Sequence, residues 1–191
     1  MSFWADRSIE PKRAYRWVMS LNGIDSWIIK TTDKPSFTLG ESKHSYLNYD
    51  FKFPGRVTWN DVTVTLVDPI MPDASVTMME ILKDAGYCAP NDVRQSGQEP
   101  LTISKKTAVD ALGHVKIKQL DADGSLGFIE VWELKNAWIK DVKFGKLDYK
   151  QEDTVEISMT ISYDWATINS NAGEIAAHAG KLSGTYQKGE T

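Results

Sequence analysis

The stretch TVEISMTISYDW, residues 154–165, decides the fold class because apolar and polar residues alternate along nearly all of it. Successive side chains of a β-strand point to opposite faces of a sheet, so a period of two predicts a strand with one buried and one polar face. The shorter run VTVTL, residues 62–66, repeats the pattern. Two such strands predict a mainly β protein.

The N-terminal part of the chain extends this pattern. Two β-rich runs, 15–21 and 24–30, are separated by Asn22-Gly23, the dipeptide best suited to a type I′ turn, and we expect a hairpin here. The next run, 31–45, is mixed and polar, with a proline and a glycine inside it. It is predicted to be a loop with room for a short strand.

Further strand patterns follow on both sides of the second alternating run. Residues 46–53 and 57–68 are joined by Pro54-Gly55, a turn dipeptide, and we expect them to pair. Later strands are predicted at 114–120 and 128–134, and a further strand or strand and turn at 137–149.

One segment, 72–87, has a helical period. Its apolar residues recur at close to helical spacing, at Val76, Met79 and Leu82. Asp73 or Ser75 can cap its start and Gly86 can end it. The sequence therefore predicts an α+β fold with many strands and one flanking helix.

Two segments are predicted to lie outside the regular elements. Residues 88–112 contain two prolines and few large apolar residues, which indicates a long loop with room for a helical turn. Beyond Trp165 the chain is small and polar. We expect one β domain over residues 1–165 and a polar C-terminal extension over 166–191.

Composition excludes several classes of function. The 191 residues carry a net charge of −4 and no block of Lys or Arg, so the chain has no electrostatic footprint for gripping nucleic acid. The first residues lack a secretory pattern, the single Cys88 cannot form an intrachain disulfide, and no run is apolar enough to span a membrane. We expect a soluble protein made in the cytoplasm.

Three carboxylates around two glycines, Asp121, Asp123 and Glu130, raise the question of a calcium loop. Such a loop needs glycine at its sixth position and a bidentate acid at its twelfth. Counted from Asp121, these positions hold Leu126 and Trp132. The motif fails, and a turn between two strands is the better interpretation.

No other catalytic, cofactor or metal residues are predicted. His44, His114 and His178 are scattered singly, and Cys88 has no supporting signature, so structural roles are expected for all four. No phosphate-binding loop, nucleophile elbow or metalloprotease pair is present in the sequence. The chain is therefore predicted not to be an enzyme and to need no cofactor.

The remaining functional signal concerns sheet edges. Edge strands of a sheet have unpaired backbone N–H and C=O groups. A protein rich in long alternating strands must therefore close its sheet or pair these edges with a partner. Periodicity alone leaves both possibilities open, a closed barrel or sandwich that works alone and a ring or fibre that assembles.

Two segments resemble the tail tube proteins of T4-like contractile-tailed bacteriophages. In FPGRVTWNDVTVTLVD, residues 53–68, a Gly-Arg segment leads into an alternating strand that ends at Asp. In GFIEVWELKNAWIKDVKFGKLDYKQEDTVEISMTISYDWA, residues 127–166, a tryptophan-bearing strand is followed by an LDY turn and a late strand that ends in Asp-Trp. The order of elements extends the resemblance over most of the chain up to Trp165.

The resemblance implies a β-sandwich-like barrel with one flanking helix, whose inner sheet joins its neighbours in a hexameric ring. Stacked rings would form the inner tube of a contractile phage tail, the conduit for DNA ejection. The implied partners are other copies of the chain, the tail sheath protein, baseplate and tail terminator proteins, and genomic DNA that passes through the lumen without specific binding. The implied location is the virion, after assembly in the host cytoplasm.

The sequence agrees with this picture in two respects. Each alternating strand can turn one face to the core and a polar face to a channel, and a net negative chain would let DNA slide where a basic lumen would hold it. The strands proposed for assembly comprise Val62, Thr63, Val64, Thr65, Leu66, Val155, Glu156, Ile157, Ser158, Met159, Thr160 and Ile161. The segments 31–45 and 88–112 are proposed to contact a stacked ring or the sheath.

Several alternatives stay open. The same fold serves in contractile injection and type VI-like secretion tubes, and a polar extension after residue 165 also fits a baseplate component that starts the tube. From another class, a monomeric β-barrel could bind a small ligand through Trp4, Trp27 and Trp138.

Overall fold

The computed structural model describes residues 11–89, 102–122 and 127–170. These residues form two four-stranded antiparallel sheets, a separate two-stranded ribbon and two α-helices. The mainly β fold predicted from the alternating runs is confirmed.

Sheet 2 contains the two strands that the sequence predicts most clearly. From edge to edge its strands are β2 (Ile29–Thr32), β5 (Val62–Val67), β9 (Glu156–Ser162) and β8 (Trp138–Lys143). Val62 lies opposite Ile161 and Val64 opposite Met159, so the apolar residues of both central strands share one face. All four side chains are fully buried, and each contributes about 1.5–3 kcal/mol of hydrophobic stabilisation.

Sheet 1 packs its apolar face into the same core cluster as sheet 2. Its strands in order are β1 (Trp17–Ser20), β6 (Val115–Leu120), β7 (Phe128–Lys135) and β10 (Trp165–Ser170). Met19, Val115, Ile117 and Leu134 are its buried apolar residues. The two sheets thus form a sandwich around one core.

The predicted helix is present and a second one accompanies it. α1 (Ala74–Asp84) begins at Asp73, whose side chain accepts a hydrogen bond from the Val76 backbone N–H at 2.9 Å. α2 (Lys105–Leu112) begins with a capping box between Ser104 and Thr107. The expected loop over 88–112, with room for a helical turn, is wrong over Lys105–Leu112, where the chain forms a helix of eight residues whose caps satisfy its first N–H groups.

The expected N-terminal hairpin is also wrong. Among residues 15–30, only one isolated bridge joins Leu21 to Ile24, and Gly23 alone of the turn pair has positive φ, so the turn is not type I′. After a 3-10 turn (Ser26–Ile28), the chain crosses from sheet 1 to sheet 2. Buried Ile24, Ile28 and Ile29 fill the crossing, so core packing outweighs the local turn preference.

The region 31–60 differs most from the prediction. The supposed loop 31–45 is largely β3 (Ser36–Tyr46), which pairs with β4 (Tyr49–Asn60) in the two-stranded ribbon, here called the arm. Its turn lies at Leu47 and Asn48, so Pro54-Gly55 is no turn but part of β4. The expected pairing of 46–53 with 57–68 is wrong, because both runs contribute to β4.

At the C-terminal side, the chain continues as a strand past residue 165. β10 starts at Trp165 and pairs with β7 as far as Ser170 opposite Glu130. The proposed extension 166–191 thus begins with strand residues, and residues 171–191 lie outside the described part.

Candidate assembly surfaces

The strands proposed for assembly lie side by side at the centre of sheet 2. Thr63 lies opposite Thr160 and Thr65 opposite Ser158, so hydroxyl side chains form the face of the sheet that is turned away from the core. Val155 precedes β9 and its carbonyl oxygen accepts a hydrogen bond from the Asp68 backbone N–H at 3.0 Å. The residues proposed for assembly therefore lie on or next to two adjacent antiparallel strands, with one apolar face towards the core and one polar face away from it.

The backbones of these strands are already paired on both sides. β5 lies between β2 and β9, and β9 lies between β5 and β8. Within the described residues, the strands of sheet 2 with one unpaired side are β2 and β8. Edge-to-edge joining of sheet 2 to a neighbour would therefore use β2 and β8, and β5 and β9 would supply the polar face.

The arm continues sheet 2 beyond the sandwich. The register that places Thr31 opposite Thr65 in β2 and β5 is the same register that places Ser36 opposite Asn60 in β3 and β4. Between these two ladders the strand pattern is interrupted at residues 33–35 and at Asp61. Every arm residue is exposed except half-buried Trp59.

A β-bulge in the arm exchanges its apolar and polar faces. Leu39 lies opposite Val57, but Glu41 lies opposite Pro54, so β4 has one extra residue between these pairs. The backbones approach closely here, since a Cβ added to Gly55 would meet Gly40 at 3.0 Å. An extra residue reverses the side-chain alternation of the bulged strand relative to its partner.

Near the sandwich, the apolar side of the arm faces the protein's own core. The Phe37 and Trp59 rings make an edge contact with centroids 5.5 Å apart. Trp59 in turn lies 6.0 Å from the ring of buried Tyr163, which follows β9. These two rings form the base patch of the arm, and Tyr163 of the same chain partly covers it.

Near the tip, the apolar side is the opposite one. Tyr46 lies opposite Tyr49, and Phe51 and Phe53 occupy the same face of the ribbon, each ring more than half exposed. The reverse face at the tip is charged, with Glu41 3.5 Å from Lys43 and 3.3 Å from Lys52. The aromatic tip patch thus has no cover from the described residues.

A buried carboxylate holds the base of the arm. Glu130 in β7 is 4% exposed and accepts hydrogen bonds from Lys34 Nζ at 2.5 Å, from Trp132 Nε1 at 2.8 Å and from Lys12 Nζ. Burial raises its pKa, but the hydrogen bonds from Lys12, Lys34 and Trp132 outweigh burial and lower the pKa to about 2. Glu130 is therefore ionised and paired at neutral pH.

A second ion pair lies at the matching break in the other strand. Asp61, between β4 and β5, accepts a hydrogen bond from Lys140 of β8 at 2.7 Å, and this bond lowers the pKa of Asp61. Desolvation raises the pKa of Tyr163 nearby, with the Ser36 backbone opposing the rise. Both strand breaks are thus tied to the sandwich, Lys34 to sheet 1 and Asp61 to sheet 2.

Among the residues considered for metal binding, those that the structure describes do not form a site. No group of three or more His, Cys, Asp or Glu side chains able to hold a metal is found in residues 11–89, 102–122 and 127–170. Asp123 and His178 lie outside the described residues. His44 is on the arm and His114 lies 3.8 Å from Glu133 on sheet 1, while Cys88 is half-buried after α1.

Of the tryptophans proposed for ligand binding, the two that the structure describes, Trp27 and Trp138, lie far apart in the fold. Trp138 lies on β8 in an apolar groove of about 450 Å³ below α1 and α2, together with Met79 and Ile103. Trp27 is 66% exposed just before β2, at the opposite edge of sheet 2. Trp4 lies outside the described residues.

No helix in the described part is long and apolar enough to cross a membrane.

Sequence reasoning missed both the arm and the carboxylate at its base. The alternation of Tyr49, Phe51 and Phe53 predicts a strand with one apolar face, and nothing in it distinguishes an exposed ribbon from a half-buried strand, while proline at residue 54 suggests a turn. Glu130 was considered only as a metal ligand. Its position in the apolar register of β7, between Phe128 and Trp132, was the available signal for a buried acid.

Comparison with known proteins identifies the fold. No protein-family model and no curated protein sequence matches the chain. A chain of the anti-feeding prophage cap, the tube-terminating cap, is similar with a TM-score of 0.61 and 15% identity, covering 89% of this chain and 99% of that chain. A chain of the anti-feeding prophage baseplate has a TM-score of 0.56 and 13% identity, covering 85% and 97%.

A third similarity is to a chain of the sheath-tube complex of an extracellular contractile injection system. Its TM-score is 0.51 at 17% identity, covering 85% of this chain and 95% of that chain. All three similarities cover at least 85% of this chain, at identities where only the fold is comparable. The chain therefore has the tail tube fold of contractile injection systems.

Proposed function

We propose that this chain is the structural subunit of the inner tube of a contractile bacteriophage tail. The observation that carries the proposal is the arm, a long continuation of sheet 2 whose aromatic tip patch is left exposed. Its four rings, each more than half exposed, leave apolar area on the order of 300–400 Å², a patch size that is often functional on a protein surface. The tail tube fold supports the same role.

Ring formation would use the edges of sheet 2. β2 of one copy pairs with β8 of the next, and closure of the ring leaves no free edge. A hexameric ring built this way turns the Thr63, Thr65, Ser158 and Thr160 hydroxyls towards one continuous surface. We propose that this surface lines the lumen and that DNA passes along it during ejection without specific binding.

Stacking would use the arm. Because the arm leaves the sandwich along the strand direction of sheet 2, its tip patch is carried to a neighbouring ring. Burial of Phe51, Phe53, Tyr46 and Tyr49 against that ring would stabilise the stack through the hydrophobic effect. In this role the chain acts as a structural virion protein and not as an enzyme, with the tail sheath, baseplate and terminator proteins as its partners.

A second candidate is a ring that starts or ends the tube. It is favoured by the similarity to chains of the anti-feeding prophage cap and baseplate. A tube subunit adds rings without limit, whereas a terminating or initiating ring stops after one contact on one side.

The test is electron microscopy of the purified protein at high concentration, with light-scattering mass on the same sample. Stacked rings or tubes with a central hole are expected. Single rings that stay single, also with added tube ends, would favour the terminator or initiator. A monomer that stays featureless with preformed tube ends or baseplates as seeds would refute assembly and favour a ligand-binding module.

The arm's part in stacking is tested with two double variants of equal size. Phe51→Ser with Phe53→Ser removes two of the four rings of the tip patch, and Lys43→Ser with Lys52→Ser truncates the opposite, charged face of the same ribbon. The first is expected to leave rings but no stacks, and the second to stack normally. Normal tubes from the first variant would contradict stacking through the tip patch.

A further inference from the structure

We propose that Glu130 is the positioning residue of the arm, and that its ion pair with Lys34 sets the direction in which the arm leaves the sandwich. The use of that direction in stacking rests on the proposed function. The positioning itself is a property of the single chain.

The arm is joined to the sandwich at two interrupted points. The Asp33 backbone N–H still donates to the Thr63 carbonyl oxygen at 3.1 Å, and regular pairing resumes only at Ser36 opposite Asn60. Each strand therefore crosses a short stretch without a regular ladder. A two-stranded ribbon is flexible at such a point unless side chains hold it.

Of the side chains at the two strand breaks, Lys34, in the break at residues 33–35, is held most firmly. Lys34 reaches 2.5 Å from Glu130 Oε1, and the carboxylate belongs to the central strand β7 of sheet 1, which is itself paired on both sides. Glu130 is nine-tenths or more buried and Trp132 Nε1 fixes the same oxygen at 2.8 Å. A short charge-assisted bond to a fixed, buried acceptor is among the strongest ways to orient a lysine.

Asp61, at the break in the other strand, is held less firmly. Asp61 and Lys140 are 2.7 Å apart, but their side chains are 32% and 54% exposed, and water and salt screen such a pair so that it stabilises little. The contact of Trp59 with Tyr163 adds packing on this side. The Lys34 to Glu130 pair is thus the stronger of the two ties, because only its acceptor is buried.

A small change in the angle of the arm at its base displaces the tip by a large distance. β3 has 11 residues, so at about 3.3 Å per residue the arm extends about 35 Å beyond the crossing. A swing of about 10° at the base then moves the tip by about 6 Å, more than a strand-to-strand spacing. The direction of the arm therefore needs a rigid tie for its tip to meet the same point on a neighbour.

The test measures the arm in dilute, unassembled protein. Spin labels are placed at the tip by Leu47→Cys and on α1 by Asp84→Cys, in a Cys88→Ser background, and their distance distribution is measured by pulsed electron paramagnetic resonance. Lys34→Met is compared with Lys12→Met. Both variants remove one cation from Glu130, but only Lys34 lies in the strand break at the base of the arm.

Lys34→Met is expected to broaden or shift the distribution by roughly 5 Å or more, the scale of the 10° swing, while Lys12→Met leaves it unchanged. Glu130→Gln should act like Lys34→Met, and Glu133→Gln, on the other face of the same strand, should not. Identical distributions for Lys34→Met and the parent would overturn the positioning role. So would equal broadening by Lys12→Met, which would indicate general loosening.

These outcomes are separable from those of the proposed function. If the parent forms tubes but Lys34→Met does not move the arm, the tube role stands and the positioning role falls. If the arm moves but the parent forms no rings or tubes, the positioning role stands and the tube role falls.

Discussion

Replacement of Glu130 by Gln tests the energetics of the buried carboxylate. The pKa of Glu130 is about 2 in the folded chain against an ordinary value of 4.5. The difference corresponds to about 3 kcal/mol of folding free energy that the ionised form contributes. Gln keeps the shape and can still accept from Trp132, but it cannot pair with Lys12 and Lys34. We therefore expect Glu130→Gln to lower the free energy of unfolding at pH 7 by about 3 kcal/mol.

The dependence on pH has a definite sign. Because the folded pKa lies below the unfolded pKa, the contribution is fully present above pH 4.5 and is lost as the pH falls towards 2. The parent should therefore lose stability across this window more steeply than Glu130→Gln. The gap between the two proteins should shrink from pH 5 downwards.

Urea unfolding, followed by tryptophan fluorescence and far-UV circular dichroism, measures both quantities. Glu133→Gln is the matched control, since Glu133 lies on the same strand and pairs with Lys135 at 2.9 Å but is more accessible to water, with 16% of its side chain exposed. The control should lose much less stability. Equal losses for the two variants, or parallel pH profiles for the parent and Glu130→Gln, would refute the reasoning.

Three further predictions concern the sandwich and its helices, all measured as changes in unfolding free energy. Met159→Ala should lose about 2–5 kcal/mol because Met159 is fully buried between the sheets, and a loss below 1 kcal/mol would contradict that packing. Gly145→Ala should cost more than Gly127→Ala: both glycines have positive φ, but an added Cβ at Gly145 would lie 2.6 Å from the Glu156 carbonyl oxygen, whereas Gly127 has open space. Equal costs would show that backbone strain alone matters. Ser104→Ala should lose about 1 kcal/mol through the cap of α2, and no loss would mean that tertiary contacts alone hold that helix.

Helix α1 and helix α2 show what local patterns can predict. α1 is predicted from Val76, Met79 and Leu82, which recur at close to helical spacing after the capping Asp73. The helix is present, but the face that it buries carries Ala74, Met78 and Ile81, and the three residues that predicted it are exposed. α2 has eight residues and buries only Ala111 and Leu112, so its apolar stripe is too short to stand out. Its capping box uses Thr107 where Glu or Gln is the usual signal, and the segment was therefore predicted as a loop.

The arm shows how local signals can mislead. Proline and glycine at 54 and 55 are strong turn residues, yet here they occupy a bulge in an edge strand, where a missing N–H and a close backbone approach are tolerated. The actual turn contains Leu47 with a φ of 53°, a conformation that the identity of the residue does not suggest. The choice between these turns depends on the pairing of β3 with β4 over their whole length.

The sequence by itself determined the mainly β class, the two central strands of sheet 2 and the first helix. These features depend on side-chain periods of two or near four, which are visible within a few residues of each other. Only the tertiary structure decided which strands share a sheet, that the arm stands outside the sandwich, and that Glu130 is buried and paired. Its partners lie 118 and 96 residues away along the chain, at Lys12 and Lys34. Such contacts depend on the packing of distant segments into one core, and no local pattern encodes that arrangement.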